Sequence, residues 1–283
     1  MARANIEVRP VTPTIGAEIV GVDLARLDDA TFGDVNDALL RHQVLFFRDQ
    51  DITPAEHLAF ARRFGPVEPP HPVFDHVAEA PEVTIIEQKG KQGIYNDEWH
   101  TDVTFRECPP LASILYCQVA PRAGGDTLWS SMTAAYEALS DPIKRLIESL
   151  EAVHDITRGF IDVLLAKPDG VAELERARKA NPPVVHPVVR THPVTGRRAL
   201  FVNRSFTVAI RGVSRLEGDG LLALLLHHAE QANFQVRFTW RPRSLVVWDN
   251  RCTQHYAVAD FAPAHRKMHR VTVIGDRPYL RPS

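Results

Sequence analysis

Short runs of β-branched, aliphatic and aromatic residues recur along the chain, separated by stretches rich in Pro, Gly and charged residues. Each run has the length of a strand, and no regular alternation of strands with helices connects them. This pattern predicts a mainly β protein with flanking helices, folded as a sandwich or jelly-roll barrel rather than around a parallel sheet. The predicted strands are Val44–Arg48, Val83–Glu87, Ser113–Val119, Ala199–Asn203, Gln235–Trp240, Leu245–Trp248 and Arg270–Ile274.

Four other segments have apolar residues at helical spacing, and we expect them to pack outside the sheets. The second of these has the clearest start, since Thr53 can cap it, Pro54 suits its first position and Glu56 can close a capping box. The predicted helices are Thr31–His42, Pro54–Phe64, Met132–Leu139 and Asp219–Ala232.

The segment Ala166–Pro183 is bracketed by Pro and Gly and is charged in its middle. It predicts an excursion that carries a short helix, and together with the preceding residues it suggests a lid at 160–183. The chain has no internal repeat and no linker-like stretch, so we expect residues 1–283 to form a single domain.

Composition is that of an ordinary folded protein, with 45% hydrophobic and 24% charged residues. The 33 basic and 35 acidic side chains give a net charge of −2, so nucleic acid and anionic membranes are not expected partners. The first ten residues lack the apolar core of a signal peptide, and the three cysteines show no C-x-x-C spacing. We therefore expect a cytoplasmic protein that binds a small molecule.

Candidate metal chemistry lies in the stretch Asn96–Phe105, where His100 and Asp102 are two residues apart among β-branched and aromatic neighbours. In a strand this spacing directs both side chains to one face. An imidazole and a carboxylate side by side supply two of the three ligands of the facial triad that binds non-haem Fe(II). By itself, a His-x-Asp pair is more often a hydrogen-bonded or surface couple.

A second histidine for such a site is His255, which follows the buried-strand pattern of Leu245–Trp248. Antiparallel strands from distant parts of a jelly roll could bring it to Asp102, 153 residues earlier. Considered alone, a histidine at this position is more often a buried side chain that donates to a carbonyl group.

Two arginines, Arg266 and Arg270, are four residues apart, so in a strand both guanidinium groups point to one face while His265 and His269 face away. Guanidinium groups bind carboxylates and sulfonates through paired N–H donors, which predicts two anion sites. The alternative is a solvated basic edge of the last strand.

The stretch Gly124–Ser130 has two glycines before Thr127, which suggests a turn or bulge at the start of a strand. The chain has neither the spacing of a nucleotide-binding glycine loop nor a G-x-S-x-G nucleophile motif. A Thr127 hydroxyl beside a basic residue could instead donate to a ligand carboxylate. We expect Cys252 to be an inert, packed thiol.

The motifs WHTDVTF, GGDTLWS, WDNRCTQHYA and HRKMHRVTVIGD occur in the order and spacing of the Fe(II)/2-oxoglutarate-dependent dioxygenases, and most closely resemble the taurine dioxygenase family. The resemblance also covers IGAEIVGVDL near the start and NPPVVHPVVRTHPVTGRRALFVNRSF at 181–206. It implies a double-stranded β-helix, which is a jelly roll, and a homo-oligomer, either a dimer or a tetramer.

The resemblance also implies roles for individual residues. Fe(II) is bound by His100, Asp102 and His255, and the distal carboxylate of 2-oxoglutarate by Thr127 and Arg266. In the family's taurine pocket, two side chains and one backbone N–H bind the sulfonate. This chain departs from that pocket at Phe74, where the taurine enzymes have a tyrosine beside the substrate amine. The matching pocket positions are His71, Phe74, Asn96, Val103, Phe105, Phe160, Phe206 and Arg270, of which His71, Arg270 and Val103 hold the sulfonate.

The implied reaction is hydroxylation of the carbon next to sulfur in taurine or a related sulfonate. It releases sulfite and an aldehyde, and it converts 2-oxoglutarate and O₂ to succinate and CO₂, as in sulfonate catabolism. An oxygenase of the same fold that acts on another alkanesulfonate or on an alkyl sulfate ester is the alternative. A metal-free jelly-roll binding protein is a more remote one, because it would not need the three metal-binding residues and Arg266 together.

Overall fold

The computed structural model describes residues 6–70, 75–90 and 97–282. Its strands are β1 (Glu7–Pro10), β2 (Ala17–Val20), β3 (Val44–Phe47), β4 (His76–Val77), β5 (Ala80–Gln88), β6 (Ala112–Val119), β7 (Thr127–Ser131), β8 (Glu151–His154), β9 (Val184–Pro187), β10 (Val189–Thr191), β11 (Arg198–Leu200), β12 (Thr207–Arg211), β13 (Gln235–Phe238), β14 (Leu245–Asp249), β15 (Thr253–Ala257) and β16 (Arg266–Val273). Its α-helices are α1 (Asp29–His42), α2 (Pro54–Arg62), α3 (Met132–Ala138), α4 (Asp141–Ile147), α5 (Ile156–Leu165), α6 (Gly170–Ala180) and α7 (Arg215–Ala229). Short 3₁₀ turns lie at Leu24–Arg26 and Ala232–Phe234.

The largest sheet has the strand order β1-β2-β3-β14-β6-β16-β5-β4, and its pairs are antiparallel except β2 with β3. Alternation along its central strands separates two apolar faces. Leu45 and Val247 belong to the cluster that packs with residues of α1 and α2, whereas Phe46 and Val246 belong to a second cluster on the opposite face. The sheet is thus buried on both sides, which explains why these strands read as continuous apolar runs.

A smaller antiparallel sheet, β13-β7-β15, covers the inner face of the large one. Trp129 of β7 and Phe238 of β13 pack against Phe46, with ring centroids 5.8 Å and 4.5 Å away, and Trp129 also contacts Trp248 at 5.7 Å. Two sheets therefore enclose one aromatic core. The predicted mainly β architecture with helices outside the sheets is confirmed.

Most predicted elements occur, although some bounds differ: β16 begins at Arg266 rather than Arg270. The run Ala199–Asn203 contributes a strand only at Arg198–Leu200. Helix α7 begins at Arg215 rather than Asp219, because Ser214 and Glu217 form a capping box there. The excursion holds one helix, α6, and a second helix, α5, immediately precedes it.

Further sheets are β12-β8-β9 and β10-β11. In the part of the chain that the structure describes, no helix combines the length and the hydropathy required to cross a bilayer.

Candidate metal centre and its surroundings

His100 and Asp102 reach one place by a route that differs from the expected strand. His100 forms an isolated antiparallel bridge with His255 of β15, and Asp102 lies in the turn that follows. The prediction that period-2 alternation in a strand aligns the two side chains is therefore wrong, although they do converge. The turn is held by Thr101, whose Oγ1 donates to the carbonyl oxygen of Thr253 at 2.7 Å.

The three predicted ligands form a compact cluster with one face of two nitrogens and one oxygen. Asp102 Oδ1 lies 3.9 Å from Nε2 of His100 and 3.9 Å from Nε2 of His255. All three side chains are buried. Two imidazoles and one carboxylate that leave the other side open are the donor set of a non-haem Fe(II) site.

Proton placement suits metal binding. His100 Nδ1 donates to the carbonyl oxygen of Glu98 at 2.8 Å, so Nε2 is the ring nitrogen that faces Asp102. Burial, with the nearby His100, lowers the pKa of His255 to about 3, so its ring is neutral at pH 7. Burial opposes ionisation of Asp102, but the basic groups of His255, Arg270 and His100 lower its pKa to about 2. The cluster therefore presents a neutral His255 imidazole and an ionised Asp102 carboxylate.

Thr127 and Arg266 line a cavity between the two sheets that also reaches His255. Arg266 is buried, and its Nε has no hydrogen-bond partner among the described residues. Burial lowers its pKa to about 10, so it remains a cation at neutral pH. Thr127 Oγ1 accepts a hydrogen bond from Trp240 Nε1 at 2.9 Å, so its own hydrogen can donate elsewhere. Among the described residues this buried cation has no ion-pair partner, and such a cation fits an anionic ligand.

Arg270 lines the same cavity, and its Nη1 lies 3.8 Å from Asp102 Oδ1. The predicted common face of Arg266 and Arg270 on β16 is therefore confirmed. His265, outside the cavity, contacts Glu87 through Nε2 at 2.7 Å. The alternative of a solvated basic edge is wrong for Arg266, because that side chain is buried.

Three phenylalanines form an aromatic wall beside the cluster: Phe105, Phe160 and Phe206. The centroid of Phe206 lies 5.0 Å from that of Phe105, 6.0 Å from that of Phe160 and 6.5 Å from that of His100. Gly159 lets α5 approach, since a Cβ there would lie only 2.8 Å from the carbonyl oxygen of Ser205. The wall thus joins α5 to the metal-binding turn.

Val103, between Asp102 and this wall, has a φ of 41°. A β-branched residue rarely adopts this conformation, and such strain is commonest at functional sites. Gly124 and Gly125 also have positive φ, at 77° and 69°, which confirms the predicted turn before β7. The predicted residues His71, Phe74 and Asn96 lie outside the described residues.

Sequence reasoning assigned no role to Ser113, Trp248 or Asn250, although all three lie next to the cluster. Ser113 Oγ donates to Asp102 Oδ2 at 2.7 Å, and the indole of Trp248 contacts the ring of His255 with centroids 4.9 Å apart. The sequence offered one signal for Trp248 and Asn250, the WDN tripeptide at the end of a predicted strand. That tripeptide does not indicate that these side chains lie beside Ser113 and Asp102.

A second group of donor residues, His192, Asp249 and Cys252, is also buried. Its carboxylate is already satisfied: Asp249 accepts hydrogen bonds from Arg251 Nε at 2.8 Å, Arg251 Nη2 at 2.7 Å and His192 Nε2 at 2.9 Å. Burial raises the pKa of the Cys252 thiol well above its usual value, as expected for an inert thiol. This group is a structural ion network.

Comparisons with known proteins agree with this geometry. The family model "Taurine catabolism dioxygenase TauD, TfdA family" matches residues 7–272. The chain is 42% identical to an alpha-ketoglutarate-dependent sulfate ester dioxygenase of Pseudomonas putida over 97% of this chain and 91% of that protein. It is 37% identical to an alkylsulfatase of Acinetobacter baylyi over 96% and 86%. The solved structure of AAD-2 with Mn(II) and N-oxalylglycine superimposes with a TM-score of 0.82, at 31% identity over 97% and 99% of the two chains.

Proposed function

This chain belongs to the TauD/TfdA family of alpha-ketoglutarate-dependent dioxygenases, and on that premise we propose that it oxidises an alkyl sulfate ester with an apolar chain. The family acts with Fe(II) and 2-oxoglutarate, and the described residues include a His-Asp-His group that fits the metal. The observation that carries the proposal is the aromatic wall beside the metal cluster, on the same site as the Arg270 guanidinium.

We propose that His100, Asp102 and His255 hold Fe(II). The two Nε2 atoms and Asp102 Oδ1 face one another, and a neutral His255 and an ionised Asp102 are the forms that bind a divalent cation. With 2-oxoglutarate bound, Fe(II) supplies an oxidant from O₂, and succinate and CO₂ are the by-products.

Arg266 and Thr127 bind the distal carboxylate of 2-oxoglutarate in this proposal. Among the described residues, the Nε of the buried Arg266 has no hydrogen-bond partner, and a carboxylate would satisfy both this donor and the charge of the guanidinium. The centroids of the Trp240 and Phe261 rings each lie 5.9 Å from the guanidinium carbon of Arg266, so apolar rings border this cation.

The substrate's sulfur-containing anion binds Arg270 and the backbone N–H of Val103. Arg270 Nε also lacks a hydrogen-bond partner among the described residues. Its neighbour Asp102 is a proposed metal ligand, so a bound metal would neutralise part of the carboxylate charge and leave Arg270 able to bind another anion. The aromatic wall of Phe105, Phe160 and Phe206 then borders the alkyl chain. This arrangement directs the carbon nearest the anion toward the metal cluster.

For a sulfate ester, hydroxylation replaces a C–H bond by C–OH on the carbon that bears the ester oxygen. The adduct breaks its C–O bond to the sulfate group, which leaves as sulfate, and the hydroxyl oxygen becomes the carbonyl oxygen of an aldehyde. The second candidate is taurine or another alkanesulfonate, whose equivalent adduct releases sulfite. The family model named for taurine catabolism favours this second candidate.

The finer architecture follows the same premise. We propose a double-stranded β-helix in a single domain, in which residues 160–183, with the end of α5 and all of α6, form a lid. Phe160 in the wall and the exposed apolar residues Ile161, Leu165 and Val171 on the two helices support the lid. A cytoplasmic homo-oligomer, dimer or tetramer, remains part of the proposal.

The test is a comparison of products from three substrates: hexyl sulfate, hexanesulfonate and taurine. We expect Fe(II)- and 2-oxoglutarate-dependent release of sulfate from hexyl sulfate with the highest kcat/KM, and a lower value for sulfite release from hexanesulfonate. Taurine, which has an ammonium group at the position of the apolar chain, should be the poorest substrate. A kcat/KM for taurine above both others would overturn the preference.

A further inference from the structure

Three buried side chains form a hydrogen-bonded chain that ends on Asp102. Trp248 Nε1 donates to Asn250 Oδ1 at 3.0 Å, Asn250 Nδ2 donates to Ser113 Oγ at 3.1 Å, and Ser113 Oγ donates to Asp102 Oδ2 at 2.7 Å. All three are at most 2% exposed. An indole nitrogen only donates, so the amide must turn its oxygen to Trp248 and its nitrogen to Ser113. The Ser113 hydrogen is then directed to the carboxylate, and every bond in the chain has one direction.

The chain is fixed in the middle of the large sheet. Ser113 of β6 and Trp248 of β14 are directly paired residues of neighbouring strands, and the backbone N–H of Asn250 donates to the carbonyl oxygen of Leu111 at 2.9 Å. The indole of Trp248 also packs against His255, whose Nδ1 has no hydrogen-bond partner among the described residues. One rigid unit therefore contacts two of the three proposed ligands.

The two oxygens of Asp102 have different surroundings as a result. Oδ2 accepts the Ser113 hydroxyl, whereas Oδ1 faces both histidine Nε2 atoms at 3.9 Å. Rotation about the terminal torsion of an aspartate is otherwise soft, so without this bond the carboxylate could turn and offer both oxygens.

We propose that Ser113, Asn250 and Trp248 are positioning residues that restrict Asp102 to binding the metal through Oδ1 alone. One-oxygen binding leaves coordination positions for 2-oxoglutarate and O₂, and partners behind a metal ligand commonly change metal affinity 10- to 100-fold when removed. This inference rests on the proposed metal site at His100, Asp102 and His255.

The test measures metal binding directly, by anaerobic calorimetric titration with Co(II) and by the visible absorption of the Co(II) protein, which reports coordination number. We expect Ser113→Ala to bind Co(II) about 10- to 100-fold more weakly and to show an altered spectrum. Ser113→Thr retains the hydroxyl and should keep the wild-type spectrum. The matched control is Ser130→Ala, which removes an equally buried strand hydroxyl that donates to the carbonyl oxygen of Ala229 at 2.6 Å, and should bind Co(II) normally.

Trp248→Phe keeps an aromatic ring against His255 but removes the first donor of the chain. We expect a smaller loss of affinity and a spectral change in the same direction, so the proposal remains testable if Ser113→Ala fails to fold. Wild-type affinity and spectrum in either folded variant overturn the proposal. Asp102→Ala distinguishes failure of the positioning proposal from failure of the proposed metal site. If Asp102→Ala too binds Co(II) like the wild type, the metal site itself is wrong.

Discussion

His100 and His255 are joined by two backbone hydrogen bonds, N of His100 to O of His255 at 2.9 Å and N of His255 to O of His100 at 2.7 Å, and their imidazole centroids lie 4.1 Å apart. The spacing of the two rings is therefore set by a backbone bridge between segments 155 residues apart in sequence. A metal placed between them meets a preformed pair of nitrogen ligands.

Removal of one of these rings tests the ligand assignment. His255→Ala should lose Fe(II) binding and substrate-dependent succinate formation, because an aspartate and one histidine leave the donor set incomplete. The matched control is His265→Ala, ten residues further on, where the imidazole contacts only the surface Glu87 among the described residues. Wild-type rates of succinate formation in His255→Ala contradict the assignment.

The two arginines of β16 should act on different ligands. Arg266→Ala should raise the KM for 2-oxoglutarate, and Arg270→Ala the KM for the sulfate ester, each by about 10- to 100-fold for the loss of a charge-assisted hydrogen bond of about 1.5–3 kcal/mol. Initial rates with each ligand varied in turn measure both constants. Equal effects of either variant on the two KM values would exclude this separation of roles.

The aromatic wall should select for chain length. Phe160→Ala removes a half-buried ring from α5 and should lower kcat/KM for hexyl sulfate by about 10-fold or more, since a buried phenylalanine contributes about 1.5–3 kcal/mol. Ethyl sulfate, too short to reach the ring, should be affected much less. Leu146→Ala, an exposed leucine on α4 outside the wall and the proposed lid, is the control. A uniform loss for both esters would place Phe160 outside the chain-binding region.

Stability should fall in mild acid because of buried neutral histidines. Burial lowers the pKa of His57 to about 3, so between pH 6.5 and 3 the unfolded chain binds a proton that the folded protein does not. From pH 7 to pH 5, protonation of this one group in the unfolded chain should lower the free energy of unfolding by about 2 kcal/mol. The contribution of neutral His57 to stability is complete only above the pKa of the unfolded chain. Urea denaturation of His57→Leu should show a pH dependence smaller by that amount, whereas Leu224→Ala, at an exposed and non-titrating position on α7, should leave the wild-type pH dependence unchanged.

Continuous apolar runs predicted the strands of the large sheet, because a strand that is buried on both faces has apolar residues at successive positions. Leu45 and Phe46, which lie in clusters on opposite faces, illustrate this. The metal ligands were found through their motif order, but their geometry was not, since Asp102 lies in a turn and not on the expected strand. The helix start at Arg215 had a readable signal in Ser214 and Glu217. The Asn250–Ser113 bond had none, because it joins residues 137 positions apart through polar side chains that occur throughout the sequence.

The most direct test of the account is a crystal structure of the protein grown anaerobically with Mn(II), N-oxalylglycine and hexyl sulfate. We expect the metal bound by His100, Asp102 Oδ1 and His255, and the distal carboxylate of N-oxalylglycine on Arg266 and Thr127. The sulfate group should lie on Arg270, with its alkyl chain along Phe105, Phe160 and Phe206. A metal bound elsewhere, or the sulfate group on Arg266 with the alkyl chain away from the three phenylalanines, would contradict it.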